Sequence, residues 1–413
     1  MTAYVLENAR VFDGCSGECP EGMSIAVEDG CIREISDRGI RFPQASYIDI
    51  GGRTLMPGMI DLHIHAYASD LNLQRVDQLG HAHRTAHAVR MLGHALDCGF
   101  TTVRDIGGGD WSLWKALQDG LIRGPRFFYA GKFLSMTGGH GDFRPTHVEA
   151  DGHGYCACGE SNSLSVVANG VDECIAAARE QLRRGAHTIK VMASGGVASP
   201  TDPVWMNQYR EDEIRAIVNE CNERHTYVSA HCHPASAIRR CVEYGVRCIE
   251  HGSLVDAETA ALVARAGAYI VPTMAIMYAM SEFGRAHNLP EAILAKTDEV
   301  IAGALEGLHH MRDAQVKLGF GTDLLGHAYV QQCREFQLRR DFFTPVEILR
   351  QATSIGAEIL QLPGKLGCVE AGAYADLIVV DGDPLKDIAL LSEDGRKLSL
   401  IMRAGEIVKN QFM

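Results

Sequence analysis

Short apolar runs alternate with helical stretches through the middle of this 413-residue chain. The runs have the length and the β-branched content of strands, and stretches such as 210–224 and 256–266 between them have helical character. The predicted strands are residues 59–65, 101–105, 126–130, 187–193, 226–231, 247–251, 268–273 and 318–323. This alternation predicts an α/β protein with a closed parallel (β/α)8 TIM barrel.

The rival architecture is an open doubly wound sheet. Its dinucleotide-binding members carry a GxGxxG turn after an early strand, and none follows the early strands here. Residues 131–169 are rich in Gly and His and have little periodicity, so we expect a long loop over the barrel mouth.

The two ends of the chain share a texture that differs from the middle. Both contain short β-branched runs separated by Gly and Asp turn signals, such as YVLENARVF near the start and ADLIVVDGDP near the end. We expect residues 1–56 and 365–413 to form one small composite β-sandwich domain. Residues 57–364 are expected to form the barrel.

The composition indicates which kind of partner the protein binds and in which cellular compartment it works. The net charge of −13, without basic runs, disfavours binding to nucleic acid or to a membrane surface. There is no signal-peptide pattern and no apolar run of membrane-spanning length. The 13 scattered cysteines indicate reduced thiols. We therefore expect a cytoplasmic protein with a small-molecule substrate.

Residue types that bind metals stand at the ends of several predicted strands. They are His63, His65, Lys190, His231, His251 and Asp323. Each has an ordinary explanation alone, such as a chance HxH, a snorkelling lysine or a helix-capping aspartate. Because the carboxyl ends of barrel strands converge on one face, all six together predict a metal cluster.

Each residue type has a chemical role in such a cluster. His63 and His65 point the same way from a strand and can bind one ion, while His231 and His251 can hold a second ion. Two cations about 3.5–4 Å apart need a bridging anion. Lys190 supplies one if its neutral amine captures CO2 to give a carbamate, because an ammonium group would be repelled there.

Two weaker metal-like patterns also occur. His153 lies near Cys156 and Cys158, but no second ligand pair accompanies them, so a chance arrangement in a loop is favoured. Four histidines crowd the helix predicted after the first barrel strand: His81, His83, His87 and His94. The i, i+4 spacing within this group is zincin-like, but the glutamate of HExxH is missing, which favours a solvated helix.

Several segments together resemble the amidohydrolase superfamily: PGMIDLHIH, TIKVMASGG, SAHCHPASAI, IEHGSL, GTD and GAYADLIVVDGDP. The resemblance spans nearly the whole chain and is greatest to the imidazolonepropionase-related branch. That branch includes Xaa-Pro and Xaa-Arg dipeptidases, N-acyl amino acid hydrolases and ochratoxinase. The resemblance implies a composite β-sandwich, two divalent metal ions, expected to be zinc, and a carbamate on Lys190. In that branch the ligands match the six residues named above.

The implied reaction is hydrolysis of the C–N bond of an N-acyl amino acid, a dipeptide or an ochratoxin-like amide by a hydroxide that bridges the metals. Asp323 is expected to accept a proton from water and to deliver it to the leaving amine. Relatives in this superfamily often form dimers or rings, which leaves a homo-oligomer open.

The resemblance also suggests substrate contacts. His140 corresponds to a residue near the substrate, and Tyr209 to a tyrosine that helps to polarise the scissile carbonyl; a loop histidine and a packing tyrosine are the alternatives. Arg144 is available for a substrate carboxylate, or is an exposed loop arginine. After GTD, Leu324 and Leu325 stand where relatives often have small residues. They predict a narrower or more apolar pocket.

Other functions remain open at this stage. A lactone or phosphotriester hydrolase would use the same ions. A mononuclear deaminase would not need a bridging lysine, so Lys190 argues against it. A catalytically inactive barrel scaffold would have lost ligands, whereas all six residue types are present.

Overall fold

The structure is a computed structural model that describes residues 3–76, 78–144, 164–199, 202–286 and 289–412. The pattern of His153, Cys156 and Cys158 lies outside these ranges. The strands are β1 (Ala3–Val11), β2 (Met23–Glu28), β3 (Cys31–Ser36), β4 (Ser46–Asp49), β5 (Thr54–Pro57), β6 (Met59–Ile64), β7 (Phe100–Asp105), β8 (Arg126–Tyr129), β9 (Phe133–Ser135), β10 (Ser165–Val167), β11 (Ile189–Met192), β12 (Val228–Pro234), β13 (Cys248–Leu254), β14 (Tyr269–Val271), β15 (Lys317–Leu318), β16 (Leu377–Val380), β17 (Leu398–Arg403) and β18 (Glu406–Asn410).

The helices lie mainly between the strands of the middle region. They are α1 (Leu73–Val76), α2 (His81–Asp97), α3 (Trp111–Gln118), α4 (Gly170–Arg183), α5 (Glu211–Asn222), α6 (Ala235–Glu243), α7 (Ala257–Ala266), α8 (Met274–Phe283), α9 (Glu291–Asp313), α10 (Arg334–Arg339), α11 (Pro345–Gln351) and α12 (Ser354–Ile359), with 3-10 helices at Gly326–Gln331 and Ile388–Ser392. Among the described residues, no helix is both long and apolar enough to cross a membrane.

The middle region contains two parallel sheets. One has the order β6-β7-β8, and the other has the order β10-β9-β11-β12-β13-β14-β15. Each of the eight predicted barrel strands overlaps an observed strand in these sheets, although the last is only two residues long.

Backbone hydrogen bonds link the two parallel sheets at two places. The amide of Leu62 in β6 donates to the carbonyl of Phe320, 2.8 Å away, just after β15. On the other side, the amide of His187 donates to the carbonyl of Tyr129 in β8, also at 2.8 Å. These bonds bring the carboxyl ends of strands from both sheets close to one another.

The prediction of a loop throughout 131–169 is wrong for two described segments. Phe133–Ser135 and Ser165–Val167 are β9 and β10, which pair in parallel, and Leu134 of β9 also pairs with Val191 of β11. Phe133 and Leu134 are buried, and this burial stabilises a strand too short to show a sequence period.

The chain ends meet in one mixed sheet. Its order is β18-β17-β16-β5-β1-β2-β3, with β4 added beside β1. Strand β16 pairs antiparallel with β5, which pairs in parallel with β1, so the strands from the two ends of the chain adjoin where β16 meets β5. Leu55, Leu377 and Leu400 are fully buried in its core. A separate sandwich domain with the predicted boundaries stays a prediction.

Local sequence explains where several helices begin and end. The Asp256 side chain accepts a hydrogen bond from the Thr259 amide at the start of α7, and Gly267 adopts φ = 66° at its end. Helix α11 begins with a capping box between Thr344 and Glu347 and has Pro345 in its first turn.

Candidate active site

The six predicted metal ligands line one pocket, together with other residues from the strand ends. His63 lies in β6, Lys190 in β11, His231 in β12 and His251 in β13. The pocket is lined by all six of His63, His65, Lys190, His231, His251 and Asp323. Residues that are far apart in sequence are therefore neighbours here, as expected for strands whose carboxyl ends converge.

The HxH histidines face the carboxylate of Asp323. The Nε2 atoms of His63 and His65 lie 3.4 and 3.3 Å from Oδ1 of Asp323. Their Nδ1 atoms are engaged elsewhere, at 2.7 Å from Oε2 of Glu250 and 2.9 Å from the carbonyl of Gly107. Occupation of Nδ1 leaves Nε2 as the nitrogen available to a metal ion.

Glu250 is a buried positioning residue that the sequence reasoning missed. Its other carboxylate oxygen accepts a hydrogen bond of 2.6 Å from Arg104 and a further one from the Ser229 hydroxyl. Burial raises the pKa of Glu250, but Arg104 and His63 outweigh burial and hold that pKa well below its usual range. The available signal was its place directly before His251 in the IEH motif.

A second group of imidazoles lies beside the first. The rings of His231 and His251 have centroids 4.6 Å apart, and Nδ1 of His251 lies 2.7 Å from the Thr273 hydroxyl. Burial, with repulsion from neighbouring cationic groups, holds the pKa of His231 and of His251 well below the ordinary value. Neutral imidazole is the form that binds metals. His233 also lines the pocket, and Nδ1 of its ring lies 3.1 Å from the Ser253 hydroxyl.

Lys190 is almost fully buried in the pocket wall. Burial lowers the pKa of its amine, while Glu250 and Asp323 act in the opposite direction. A lowered pKa increases the fraction of neutral amine, which is the form that reacts with CO2.

Asp323 is positioned by a network around Asp61. Oδ1 of Asp61 accepts from the amide of His63 at 3.1 Å. Oδ2 accepts from the Thr322 hydroxyl at 2.7 Å and from the Gln332 side chain at 2.8 Å. Asp323 itself has φ = 56°, and its amide donates to the His63 carbonyl at 2.7 Å. The network fixes the HxH strand relative to the Asp323 carboxylate, and sequence reasoning had not identified it.

His140 reaches the same pocket from the segment after β9. Its ring stacks on His231 with centroids 4.4 Å apart, and its Nδ1 lies 3.0 Å from Oδ2 of the buried Asp202. A Cβ atom on Gly196 would lie 2.4 Å from Cε1 of His140 and 2.7 Å from Nε2 of His231. The close approach of the two rings therefore requires glycine at this position. Lys296 holds the segment in place by donating to the Asp202 carbonyl at 2.7 Å.

Three other predicted contact residues are not among the described residues that line this pocket. The Tyr209 side chain is buried beside Cys174, and burial raises its pKa. The Arg144 guanidinium makes two bonds to Asp142, of 2.7 and 2.6 Å. Leu324 is buried elsewhere, and its neighbour Leu325 is the leucine that contributes to the wall.

The rest of the pocket wall is mainly apolar. It is formed by Leu73, Phe133, Phe143, Leu164, Met192, Val197, Ala198, Ile276, Met277, Met280 and Leu325. The cavity measures about 60 Å³. Within the described part of this wall there is no arginine, and Lys190 is the one lysine.

The donor set fits divalent metal ions. Ligand atoms of His63, His251 and Asp323 lie within 4.8 Å of one another, so one ion can contact all three. Imidazole nitrogens and carboxylate oxygens bind zinc and similar ions, and the hydrogen bonds that the rings donate to Glu250 and to the Gly107 carbonyl orient them as outer partners of metal ligands do.

Comparisons with known proteins agree over most of the chain. A family model described as the amidohydrolase family matches residues 54–408. Ochratoxinase from Aspergillus niger is 31% identical over 372 residues, which cover 86% of this chain and 75% of that protein. A crystal structure of an amidohydrolase has a TM-score of 0.96 at 45% identity and covers 99% of both chains. A prolidase crystallised with N-methylphosphonate-L-proline has a TM-score of 0.96 at 42% identity, covering 99% of this chain and 100% of its own.

Proposed function

The chain belongs to the amidohydrolase family and is a hydrolase that acts on amide or peptide bonds, and we propose that it is a binuclear metalloenzyme. Its proposed substrates are N-acyl amino acids, dipeptides or ochratoxin-like amides with an apolar group beside the scissile bond. The observation that carries the proposal is the meeting of His63, His65, Lys190, His231, His251 and Asp323 in one pocket.

The scaffold of this site is proposed to be one closed (β/α)8 TIM barrel over residues 57–364. The bonds from Leu62 to Phe320 and from His187 to Tyr129, between strands of the two parallel sheets, support closure. Residues 1–56 and 365–413 would form the composite β-sandwich beside it.

The donor set offers ligands for two ions. His63 and His65 would hold one divalent ion and His231 and His251 the other, with Asp323 on the first ion and carboxylated Lys190 between them. When bound, such ions supply Lewis acidity, which polarises a carbonyl and lowers the pKa of water from 15.7 towards about 7.

Asp323 is the proposed proton carrier. Burial raises the pKa of its carboxyl, but His63 and His65 outweigh burial and hold the pKa well below its usual range. The ionised carboxylate can accept a proton from the attacking water. The protonated carboxyl group then gives that proton to the leaving nitrogen, which completes the cleavage and regenerates the carboxylate.

His140 is the proposed polar contact for the substrate. Its Nδ1 is occupied by Asp202, so Nε2 is the nitrogen left for a substrate oxygen. Arg144 is already paired with Asp142 and is not among the residues that line the pocket. We therefore assign the carboxylate or carbonyl contact to His140 rather than to Arg144 or Tyr209.

The apolar wall supports a substrate with an apolar side chain or acyl group. Leu325, Phe133 and Met277 offer surface for such a group, and burial of apolar surface contributes about 25 cal/mol per Å². A strongly charged side chain at this wall would lose its hydration without gaining an ionic partner.

A substrate panel tests the proposal. Zinc-loaded protein is offered N-acetyl derivatives of leucine, phenylalanine and aspartate, Xaa-Pro dipeptides, a lactone and a phosphotriester. We expect cleavage of the apolar amides, with Asp323→Asn at least a thousandfold slower while most metal remains bound. Cleavage of the lactone or phosphotriester alone would replace the amide assignment, and no cleavage of any compound would favour a scaffold.

A further inference from the structure

A second group of metal-binding side chains lies outside the pocket. It consists of His94, Cys98, Cys333 and Asp394, which we call the thiol cluster. His94 and Cys98 lie four residues apart at the end of α2, Cys333 directly precedes α10, and Asp394 lies in the turn before β17. The two sulfur atoms belong to fully buried residues, whereas Asp394 is exposed.

The distances among Cys98, Cys333 and Asp394 suit a single ion, and His94 adjoins this group through Cys98. Ligand atoms of Cys98, Cys333 and Asp394 all lie within 4.8 Å of one another. Nε2 of His94 lies 3.4 Å from the sulfur of Cys98. Tetrahedral zinc with bonds of about 2.3 Å to sulfur and about 2.0–2.1 Å to nitrogen separates those two ligand atoms by about 3.6 Å. The histidine and the first cysteine are therefore already at the spacing that zinc requires.

The electrostatic environment favours a thiolate at this place. A hydrogen bond from Cys333 lowers the pKa of Cys98, whereas the hydrogen bond to Cys98 and burial raise the pKa of Cys333, so Cys98 is the thiol of the pair that ionises first. The thiolate, rather than the thiol, is the metal ligand.

The turn that carries Asp394 is packed closely against the end of α2. Asp394 and Gly395 have φ = 50° and 73°. A Cβ atom on Gly395 would lie 2.0 Å from the carbonyl oxygen of Asp97, so only glycine allows the turn to come this close. The close packing fixes the carboxylate beside the two sulfur atoms.

We propose that His94, Cys98, Cys333 and Asp394 bind one thiophilic divalent cation of the zinc type. Two sulfur atoms and one carboxylate provide three ligands for one ion, and a movement of the His94 imidazole towards that ion would supply the fourth ligand of a structural zinc site. The proposal does not depend on the function assigned to the pocket.

An ion at the thiol cluster would link three segments of the protein. Helix α2 follows the strand that carries His63, and Cys333 directly follows Gln332, which bonds to Asp61 behind Asp323. Asp394 lies in the connection from β16 to β17 in the sheet formed by the chain ends. The ion therefore stabilises the packing of that sheet against the two segments that carry pocket residues.

Another pair of cysteines provides a matched control. The sulfur atoms of Cys232 and Cys241 lie 3.6 Å apart, and both residues are buried. Among the described residues, no histidine or carboxylate joins this pair in a group of metal-ligand spacing. Substitution of Cys241 tests the loss of a buried thiol without the loss of a proposed ligand.

Cobalt spectroscopy tests the proposal. The whole protein is freed of metal under reducing conditions and titrated with Co²⁺, and near-ultraviolet absorption from thiolate-to-cobalt charge transfer is recorded. Because the proposed pocket ligands include no cysteine, cobalt in the pocket gives no such band. We expect the band to reach the absorbance of one thiolate-bound cobalt per chain, to be lost in Cys333→Ser and to be retained in Cys241→Ser.

Additional variants keep the test decisive if Cys333→Ser does not fold. Asp394→Ala changes an exposed side chain, and we expect it to weaken cobalt binding at least tenfold while the charge-transfer band remains. Absence of the band in the wild-type protein, or equal cobalt affinity in Asp394→Ala and wild type, would overturn the proposal. So would a Cys98–Cys333 disulfide in the native protein whose reduced form binds no cobalt.

Discussion

The Nδ1 atom of His63 lies 2.7 Å from Oε2 of Glu250, and both side chains are almost completely excluded from solvent. The glutamate is itself held by Arg104 at 2.6 Å. This arrangement keeps the proton of the imidazole on Nδ1 and directs Nε2 towards Asp323. A partner of this kind raises the basicity of a metal ligand as well as fixing its orientation.

Glu250→Gln is therefore expected to weaken metal binding at the pocket by about 10- to 100-fold. The amide cannot supply the negative charge that stabilises the proton on His63. Competition with a chromophoric chelator measures the affinity.

Glu335→Gln is the control for Glu250→Gln. Glu335 forms a buried 2.7 Å ion pair with Arg339, so both variants weaken a buried Glu–Arg pair, but only one touches a histidine of the pocket. Loss of one partner of a buried pair costs up to about 3–5 kcal/mol, and both variants should show a comparable loss of stability. Equal metal affinity in the two variants would contradict the role of Glu250.

Asp202→Asn should reduce kcat/KM by tenfold or more, because His140 loses the carboxylate that orients its ring. His140→Ala should reduce it by a similar factor. The double variant should be no slower than the slower single variant, since both changes remove one unit. Asp142→Asn, which affects the partner of Arg144 instead, should change kcat/KM less than threefold. If the losses of kcat/KM in the two single variants multiply in the double variant, His140 and Asp202 act independently.

Leu325→Ala should change the substrate preference, because Leu325 lines the pocket. Removal of its side chain enlarges the pocket. The ratio of kcat/KM for a bulky and a small N-acyl substrate should then change by roughly 10- to 200-fold, which corresponds to about 1–3 kcal/mol. The change should favour the bulky substrate. Leu324→Ala is the matched control, because its side chain is buried away from the wall. A change in substrate preference in Leu324→Ala but not in Leu325→Ala would contradict the prediction and assign the specificity to Leu324.

Tyr209→Phe should leave kcat within about twofold of wild type. The Tyr209 hydroxyl is buried beside Cys174, and the residue does not line the pocket. Removal of one buried hydroxyl should alter the free energy of unfolding by about 1 kcal/mol. Single-turnover measurement gives the rates of amide cleavage. A hundredfold lower rate in Tyr209→Phe would mean that the tyrosine hydroxyl takes part in the reaction.

The parallel strands and the ionisable residues gathered at their ends were accessible from sequence because each depends on a short-range pattern. Apolar runs mark the strands, and an ionisable residue at the end of a parallel strand must lie near the others of its kind. The family predicted from these motifs is confirmed by the match over residues 54–408.

Side-chain direction and long-range packing were less accessible. Tyr209 has φ = 55°, and its direction depends on the packing between α4 and α5, which no local pattern specifies. Arg144 contacts Asp142, two residues away, and sequence alone does not show whether the guanidinium pairs with this neighbour or with a substrate carboxylate. The thiol cluster joins α2 to two segments far along the chain, so spacing alone gave no indication of it.

The central claim is that amide hydrolysis depends on divalent ions and on Lys190. The most direct measurement is the rate of N-acyl amino acid cleavage by metal-depleted protein, before and after addition of zinc and bicarbonate. We predict that depletion abolishes cleavage, that zinc with bicarbonate restores it in the wild-type protein, and that Lys190→Ala remains inactive under the same conditions. Full activity in the depleted protein, or equal recovery in Lys190→Ala, would contradict it.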